Sequence, residues 1–166
     1  KDVKALAAAA KSGKVESKML EASLEVNESQ PKIIVEMTKE RLGVLKGKRI
    51  AVLGLAFKPD TDDVRESRSE VVIKELVENG ADVIGHDPEG MENFKELIDI
   101  ETADSIEKAV NKADCIILMT EWKEYCDMNL KTIKDRMSGN VIIDGRRAFN
   151  PRQVEEAGFD YRAIGL

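Results

Sequence analysis

The sequence predicts an α/β fold: a Rossmann-like, doubly wound, mostly parallel sheet preceded by an α-helical segment. Three observations lead there. From Arg49 onward, short apolar runs alternate with amphipathic helical stretches, the pattern of repeated β-α units. Before that point, residues 1–45 carry helical signals only. Between the first apolar run and the helix after it lies a charged loop, residues 54–67, where an open parallel sheet holds its ligands.

Taken in order, Asp2 can cap a helix that begins at Val3; the alanine-rich residues 5–10 favour it, and Ser12-Gly13 ends it. A second helical pattern starts near Glu16, with Leu20, Leu24 and Asn27 on one stripe. Pro31 is expected to interrupt or kink it. Ile33, Ile34, Met37 and Leu42 continue the helical spacing as far as Gly43. Such an apolar face needs a partner, either the rest of this chain or a second subunit. Leu45-Lys46-Gly47-Lys48 reads as a turn-rich bridge. The expected division is therefore a helical segment over 1–45 and an α/β domain over 46–166. Strands are expected at 50–55, 82–85, 115–119, 141–143 and 161–164. A helix over 67–79 should open with Ser67 and Glu70 as a capping box, bury Val72, Ile73, Leu76 and Val77, and stop at Gly80. Asp104 or Ser105 should cap the helix carrying Ile106, Ala109, Val110 and Ala113. Leu130, Ile133 and Met137 give a weaker stripe.

The length, 166 residues, suits one domain with a helical appendage. A net charge of -6, from 26 basic and 32 acidic residues, argues against nucleic-acid binding. It leaves room for an anionic small ligand, which a few local cations can hold. The two cysteines, Cys115 and Cys126, have no metal-ligand spacing, and a reduced, cytoplasmic setting is expected. No apolar run approaches the roughly 18 residues of a membrane span, and no signal peptide is visible. Because the first residue is Lys1, the chain is expected to be a piece of a longer protein or a processed chain.

The loop after the first strand concentrates Lys58, Asp60, Asp62, Asp63, Arg65 and Glu66. A solvated loop with ion pairs would look similar. Two details point past that. Phe57 and Lys58 stand where the strand should end, so an aromatic face and an ammonium share the mouth of the sheet. Pro59 then fixes the exit of the chain. The acidic loop residues are expected to hold Lys58 and Arg65 in place.

A dinucleotide-binding unit shows Gly-x-Gly-x-x-Gly at this position. Here the chain reads Gly54-Leu55-Ala56-Phe57-Lys58-Pro59, without the second and third glycines. A bulky Phe stands where a pyrophosphate needs close backbone approach. Asp87 ends the second strand, but further from Gly54 than the spacing of about 20 for a ribose-binding acid. Asp87-Pro88 reads instead as a strand-ending turn. NAD binding by this domain is therefore not expected. His86, the only histidine, adjoins Asp87, but neighbours on a strand point to opposite faces. Cys115 reads as an inert buried thiol, and Cys126 lacks activating neighbours, so neither is expected as a nucleophile. Trp122, in Thr120-Glu121-Trp122, is expected to pack the loop. Arg146, in Asp144-Gly145-Arg146-Arg147, is either an exposed cation or a ligand for phosphate or sugar-acid oxygens, which a guanidinium binds in pairs.

Gly54-Leu55-Ala56-Phe57-Lys58-Pro59-Asp60-Thr61-Asp62-Asp63-Val64-Arg65-Glu66-Ser67 resembles the signature that opens the C-terminal domain of UDP-glucose/GDP-mannose dehydrogenases. The match is ungapped and departs at Arg68, where the family commonly has Pro or a small residue. The resemblance covers essentially the whole chain. It implies part of an NAD-dependent UDP-sugar 6-dehydrogenase, similar to UDP-glucose 6-dehydrogenases, serving polysaccharide biosynthesis. Such enzymes oxidise a C6 alcohol to a carboxylate by two hydride transfers, through a thiohemiacetal and a thioester on cysteine. NAD and the nucleophilic cysteine would belong to a part upstream of Lys1, leaving this chain inactive alone. Lys1 and Asp2 are similar to the end of the nucleophile's motif, which makes Asp2 a candidate catalytic residue supporting the active-site water. Phe57 and Lys58 match residues that touch the nucleotide sugar. Arg146 matches an arginine that reaches the substrate in a neighbouring subunit's site. Pro59-Asp60-Thr61 is more similar to UDP-sugar members than to GDP-mannose members. Residues 1–45 match the central helices through which subunits form a homodimer. The rival reading is a catalytically inactive, stand-alone nucleotide-binding or dimerisation module of the same fold.

Overall fold

Apolar runs spaced through the chain fold as strands because each alternates its side chains between two buried faces. In the computed structural model, which describes residues 2–166, these are β1 (Arg49–Leu53), β2 (Asp82–His86), β3 (Glu101–Thr102), β4 (Cys115–Leu118), β5 (Val141–Asp144) and β6 (Asp160–Ala163). Among the described residues they form one six-stranded sheet in the order β3-β2-β1-β4-β5-β6. Each neighbouring pair is parallel, with Ile50 opposite both Val83 and Cys115. That order is the doubly wound one, with its switch point between β1 and β4. The alternation within strands is visible in the core. Ala51, Leu53, Ile116, Leu118 and Ile142 pack on one face with Tyr125, Ile133, Val154 and Phe159. Ile50, Val52, Cys115, Ile117 and Ile143 pack on the other with Ile34, Val35, Val72, Ile73 and Leu76. Each such aliphatic side chain contributes about 1.5–3 kcal/mol of burial.

The helices are α1 (Asp2–Ser12), α2 (Lys18–Leu42), α3 (Arg68–Glu78), α4 (Met91–Lys95), α5 (Ile106–Ala109), α6 (Lys123–Cys126), α7 (Leu130–Arg136) and α8 (Pro151–Glu156). Of the two expectations for Pro31, interruption does not occur: α2 runs through it to Leu42. The reason is tertiary: Pro31, Ile34, Val35 and Thr38 are buried against the sheet, which offsets the lost N–H. Gly43, at φ 71, ends the helix and donates its N–H to the Lys39 carbonyl. No described residue of α1 is buried.

Four local features refine the sequence reading. β1 stops at Leu53, because Gly54 turns the chain at φ 98. A side chain at Gly54 would meet Thr120 at 2.5 Å, so only glycine fits that turn. β3 is an edge strand of two residues, too short to show a periodicity. The capping box of α3 forms by half: Ser67 Oγ accepts from the Ser69 N–H, while Glu70 accepts from Lys74 at 2.5 Å instead of reaching back. Ser105, not Asp104, caps α5.

Candidate functional site

The C-terminal ends of the strands bring four segments to one edge: residues 54–58 after β1, Asp87 after β2, Thr120-Glu121-Trp122 after β4 and Gly145-Arg146 after β5. Asp87 holds the first three together. It is fully buried, and one carboxylate oxygen, Oδ2, accepts from the Leu55 N–H (2.7 Å), the Ala56 N–H (2.9 Å) and the Trp122 indole N–H (3.2 Å). Its other oxygen accepts from the N–H groups of Glu89 (3.1 Å) and Gly90 (2.7 Å). Burial of the carboxylate is tolerated because both oxygens are saturated with donors. Trp122 is buried, as expected of a packing residue. Thr120 Oγ1 adds a bond to the Ala56 carbonyl at 2.7 Å.

The loop therefore leaves β1 on a fixed footing. Phe57 follows directly and is 53% exposed, with its N–H bonded to the Asp63 carbonyl at 2.8 Å. Lys58 is exposed and has no hydrogen-bond or ion-pair partner among the described residues. The expectation that loop acids hold both cations is thus half met. Asp63 grips Arg65 with two bonds, at 2.9 and 2.8 Å, and leaves Lys58 to solvent. Phe57, Asp63, Arg65 and Glu66 line a cleft of about 270 Å³. Glu66 also pairs with Lys4 of α1 at 3.2 Å, and that pairing holds its carboxyl below the usual range. Asp2 sits exposed at the start of the same helix; Lys1 lies outside the described residues.

Arg146 stands on a separate part of the edge. Its guanidinium donates to both oxygens of Glu121, at 2.5 and 2.8 Å, holding the Glu121 carboxyl low and raising the arginine. Its backbone N–H bonds Asp144 at 2.8 Å. Asp144 is itself buried and accepts from Ala148, Phe149 and the Tyr161 hydroxyl, which sets the turn after β5. Arg146 lines a second cleft, of about 200 Å³, with Arg68, Asn27, Gln30, Met119 and Ile164. The structure brings Phe57 and Lys58 together. It sets Arg146 in a different cleft.

His86 and Asp87 have separate partners, as strand geometry predicts. His86 Nδ1 lies 2.8 Å from the Tyr125 hydroxyl, which donates to the His86 carbonyl at 2.9 Å. Burial pushes the His86 imidazole below its ordinary pKa and the Tyr125 phenol well above its own. Cys115 is buried, and burial raises its thiol out of the reactive range; the exposed Cys126 is also raised, by partial burial and by Asp127. Among the described residues no group of His, Cys, Asp and Glu is placed to hold a metal ion, and no helix is long and apolar enough to cross a membrane. The sequence reading missed the clamp at Asp87 and the cleft at Arg68. Asp-Pro after a strand signals a turn but does not reveal which distant N–H groups converge on it.

A family model described as "UDP-glucose/GDP-mannose dehydrogenase family, UDP binding domain" matches residues 51–151. The UDP-glucose 6-dehydrogenase AglM of Haloferax volcanii is 41% identical over 165 residues, covering 99% of this chain and 37% of that protein. The UDP-glucose 6-dehydrogenase of Rhizobium meliloti is 34% identical over 99% of this chain and 38% of its own length. Among solved structures, a UDP-glucose dehydrogenase from Pyrobaculum islandicum superposes with a TM-score of 0.82 at 34% identity, over 97% of this chain and 35% of that one. An NDP-N-acetyl-D-galactosaminuronic acid dehydrogenase from Methanosarcina mazei Go1 gives 0.82 at 30% identity, over 99% and 37%. The chain spans less than two-fifths of the length of these relatives. With the motif at 54–67, the sheet order and the match over 51–151 in agreement, the chain belongs to the UDP-glucose/GDP-mannose dehydrogenase family and carries its UDP binding domain.

Proposed function

We propose that this chain is the nucleotide-sugar-binding part of an NAD-dependent UDP-sugar 6-dehydrogenase, with Phe57, Lys58 and Arg146 as its ligand contacts. One observation carries the reading: an exposed phenylalanine and an unpaired ammonium project from the sheet mouth on a loop locked by a buried carboxylate. A nucleotide sugar offers that pair a flat base or ring and a diphosphate. Fixed footing matters because ordering a loop on binding costs affinity. The surrounding acids, Asp60, Asp62 and Glu121, repel an anion, so the local cations decide whether it stays.

The residues present do not fit NAD at the switch point. The Leu55 and Ala56 amides, which a dinucleotide pyrophosphate would need, are already engaged by Asp87. NAD is accordingly assigned to a part of the parent protein outside this chain. The nucleophile is assigned there too, since burial and acidic neighbours keep the thiols of Cys115 and Cys126 protonated. Asp2 is placed beside that upstream chemistry, where it would support the reacting water. On this reading the chain is inactive alone.

The helical segment is proposed as a homodimer contact. Leu6 (57% exposed), Val15 (63%) and Met19 (85%) lie on α1, the turn after it and the start of α2, left exposed by the described residues. A second copy would cover this apolar face.

The test is calorimetric titration of the chain with UDP-glucose, UDP-N-acetylmannosamine, GDP-mannose and NAD. A UDP-sugar should bind, GDP-mannose more weakly, and NAD not at all. Binding of NAD, or indifference to every nucleotide sugar, would refute the reading.

A further inference from the structure

The carboxylate that pairs Arg146 stands on a fixed base. Glu121 follows β4 between two buried neighbours, Thr120 and Trp122. Just before it, the Met119 N–H bonds the Leu53 carbonyl at 2.8 Å. Thr120 Oγ1 donates to the Ala56 carbonyl at 2.7 Å, and the Trp122 indole N–H reaches Asp87 at 3.2 Å. The Trp122 backbone N–H closes a tight turn onto the Thr120 carbonyl at 3.0 Å. Glu121 is therefore carried by the same buried network that fixes the footing of Phe57 and Lys58.

The backbone of Arg146 is held as firmly. Its N–H bonds Asp144 at 2.8 Å, and the Gly145 N–H bonds the Leu118 carbonyl at 2.9 Å. Its side chain is long, rich in rotamers and 40% exposed, so it stays in one place only where a partner holds it. Asp144 is not that partner. Its oxygens already serve the N–H groups of Arg146, Ala148 and Phe149 and the Tyr161 hydroxyl. Glu121 takes the guanidinium through Nε and Nη2, the fork along one edge. Three of the five N–H donors then remain, without an acceptor among the described residues. The pairing also cancels the repulsion that a lone Glu121 would exert on an anion.

We propose that Glu121 is a positioning residue: it holds one edge of the Arg146 guanidinium and leaves the other ready for ligand oxygens, so that the arginine is ordered before the ligand arrives. The proposal rests on the reading that Arg146 touches the nucleotide sugar. The opposite role for an acid at this place is a latch that competes with the ligand for the arginine. A latch would have to occupy the donors the ligand needs, and Glu121 occupies two of the five. The two roles differ in sign: removing a positioning residue weakens binding, and removing a latch tightens it.

The experiment is steady-state kinetics of the parent enzyme with UDP-glucose at saturating NAD. The variants are Glu121→Gln, Glu121→Ala, Arg146→Ala and the double alanine variant. Glu121→Ala should raise KM by about 2- to 12-fold, the scale of ordering one rotamer-rich side chain on binding, with kcat retained. Glu121→Gln, whose carbonyl keeps one of the two bonds, should raise it less. The unfolding midpoint should not move, because an ion pair this exposed contributes little to stability. In the Arg146→Ala background an unpaired Glu121 only repels the ligand, so there Glu121→Ala should no longer raise KM. If Glu121→Ala lowers KM, the carboxylate is a latch and the proposal is overturned. It is overturned too if KM does not change, or if the rise persists undiminished in the Arg146→Ala background, since Glu121 then acts by another route. If Arg146→Ala itself leaves KM unchanged, the reading of Arg146 as a ligand contact falls, and the positioning role with it.

Discussion

Replacing Asp87 by asparagine changes one atom's chemistry in a fully buried group. The carboxylate accepts three N–H bonds on one oxygen and two on the other. An amide keeps only one accepting oxygen and turns an NH2 toward the other donor set. In the better orientation the carbonyl keeps Leu55, Ala56 and Trp122, and the NH2 faces the N–H groups of Glu89 and Gly90. The buried Gly90 N–H then loses its acceptor, at about 1–3 kcal/mol, while the exposed Glu89 N–H can turn to water. The expected loss is about 1–3 kcal/mol, against a total stability of about 5–15 kcal/mol. For a chain of this size that corresponds to a fall in Tm of about 2–12 °C. Urea unfolding followed by circular dichroism would read it as a lower midpoint with an unchanged slope. Trp122→Phe, which removes one long bond at 3.2 Å and leaves the other acceptors in use, should cost clearly less. If Asp87→Asn costs under about 1 kcal/mol, the carboxylate does not organise the edge in the way its geometry implies.

Five further outcomes are expected. In the parent enzyme, Lys58→Ala and Arg146→Ala should each lower kcat/KM for the nucleotide sugar by roughly 10- to 150-fold while leaving NAD binding intact, and values within twofold of the unsubstituted enzyme would remove the site assignment. In mixed dimers, an Arg146→Ala chain should impair its partner's site and not its own. Alkylation of both cysteines at neutral pH should be slow, because burial and nearby acids raise both thiols; rapid modification blocked by nucleotide sugar would contradict this. Sedimentation should show a dimer at tens of micromolar that Leu6→Glu or Met19→Glu dissociates; a monomer would count against the helical interface. His86 is held neutral by burial, so its folded pKa lies below the unfolded value of about 6.5. Its contribution is fully present above that pH and is lost as pH falls through the lower folded value. Wild type should therefore lose stability between pH 7.5 and 5.5, and His86→Gln should lose less; equal slopes would clear His86 of the effect.

The sequence by itself determined the fold class and the place of the charged loop at the end of the first strand. Alternating apolar runs of four to five residues in β1, β2, β4, β5 and β6 have no stable home except a sheet covered on both faces, so each was legible locally. The same holds for glycine at 54 and for Phe57-Lys58, because what can follow a strand end is restricted by the backbone itself. Tertiary structure alone decided the rest. Helix α2 runs through Pro31 because its C-terminal half is packed on the sheet, a compensation absent from the local sequence. Glu101–Thr102 becomes a strand only because β2 offers it an edge. Five N–H groups converge on Asp87 from three separate loops, and Arg146 finds Glu121 rather than Asp144 for its guanidinium. Those partners are distant in sequence, and a sequence specifies such a meeting only through the packing of everything between them.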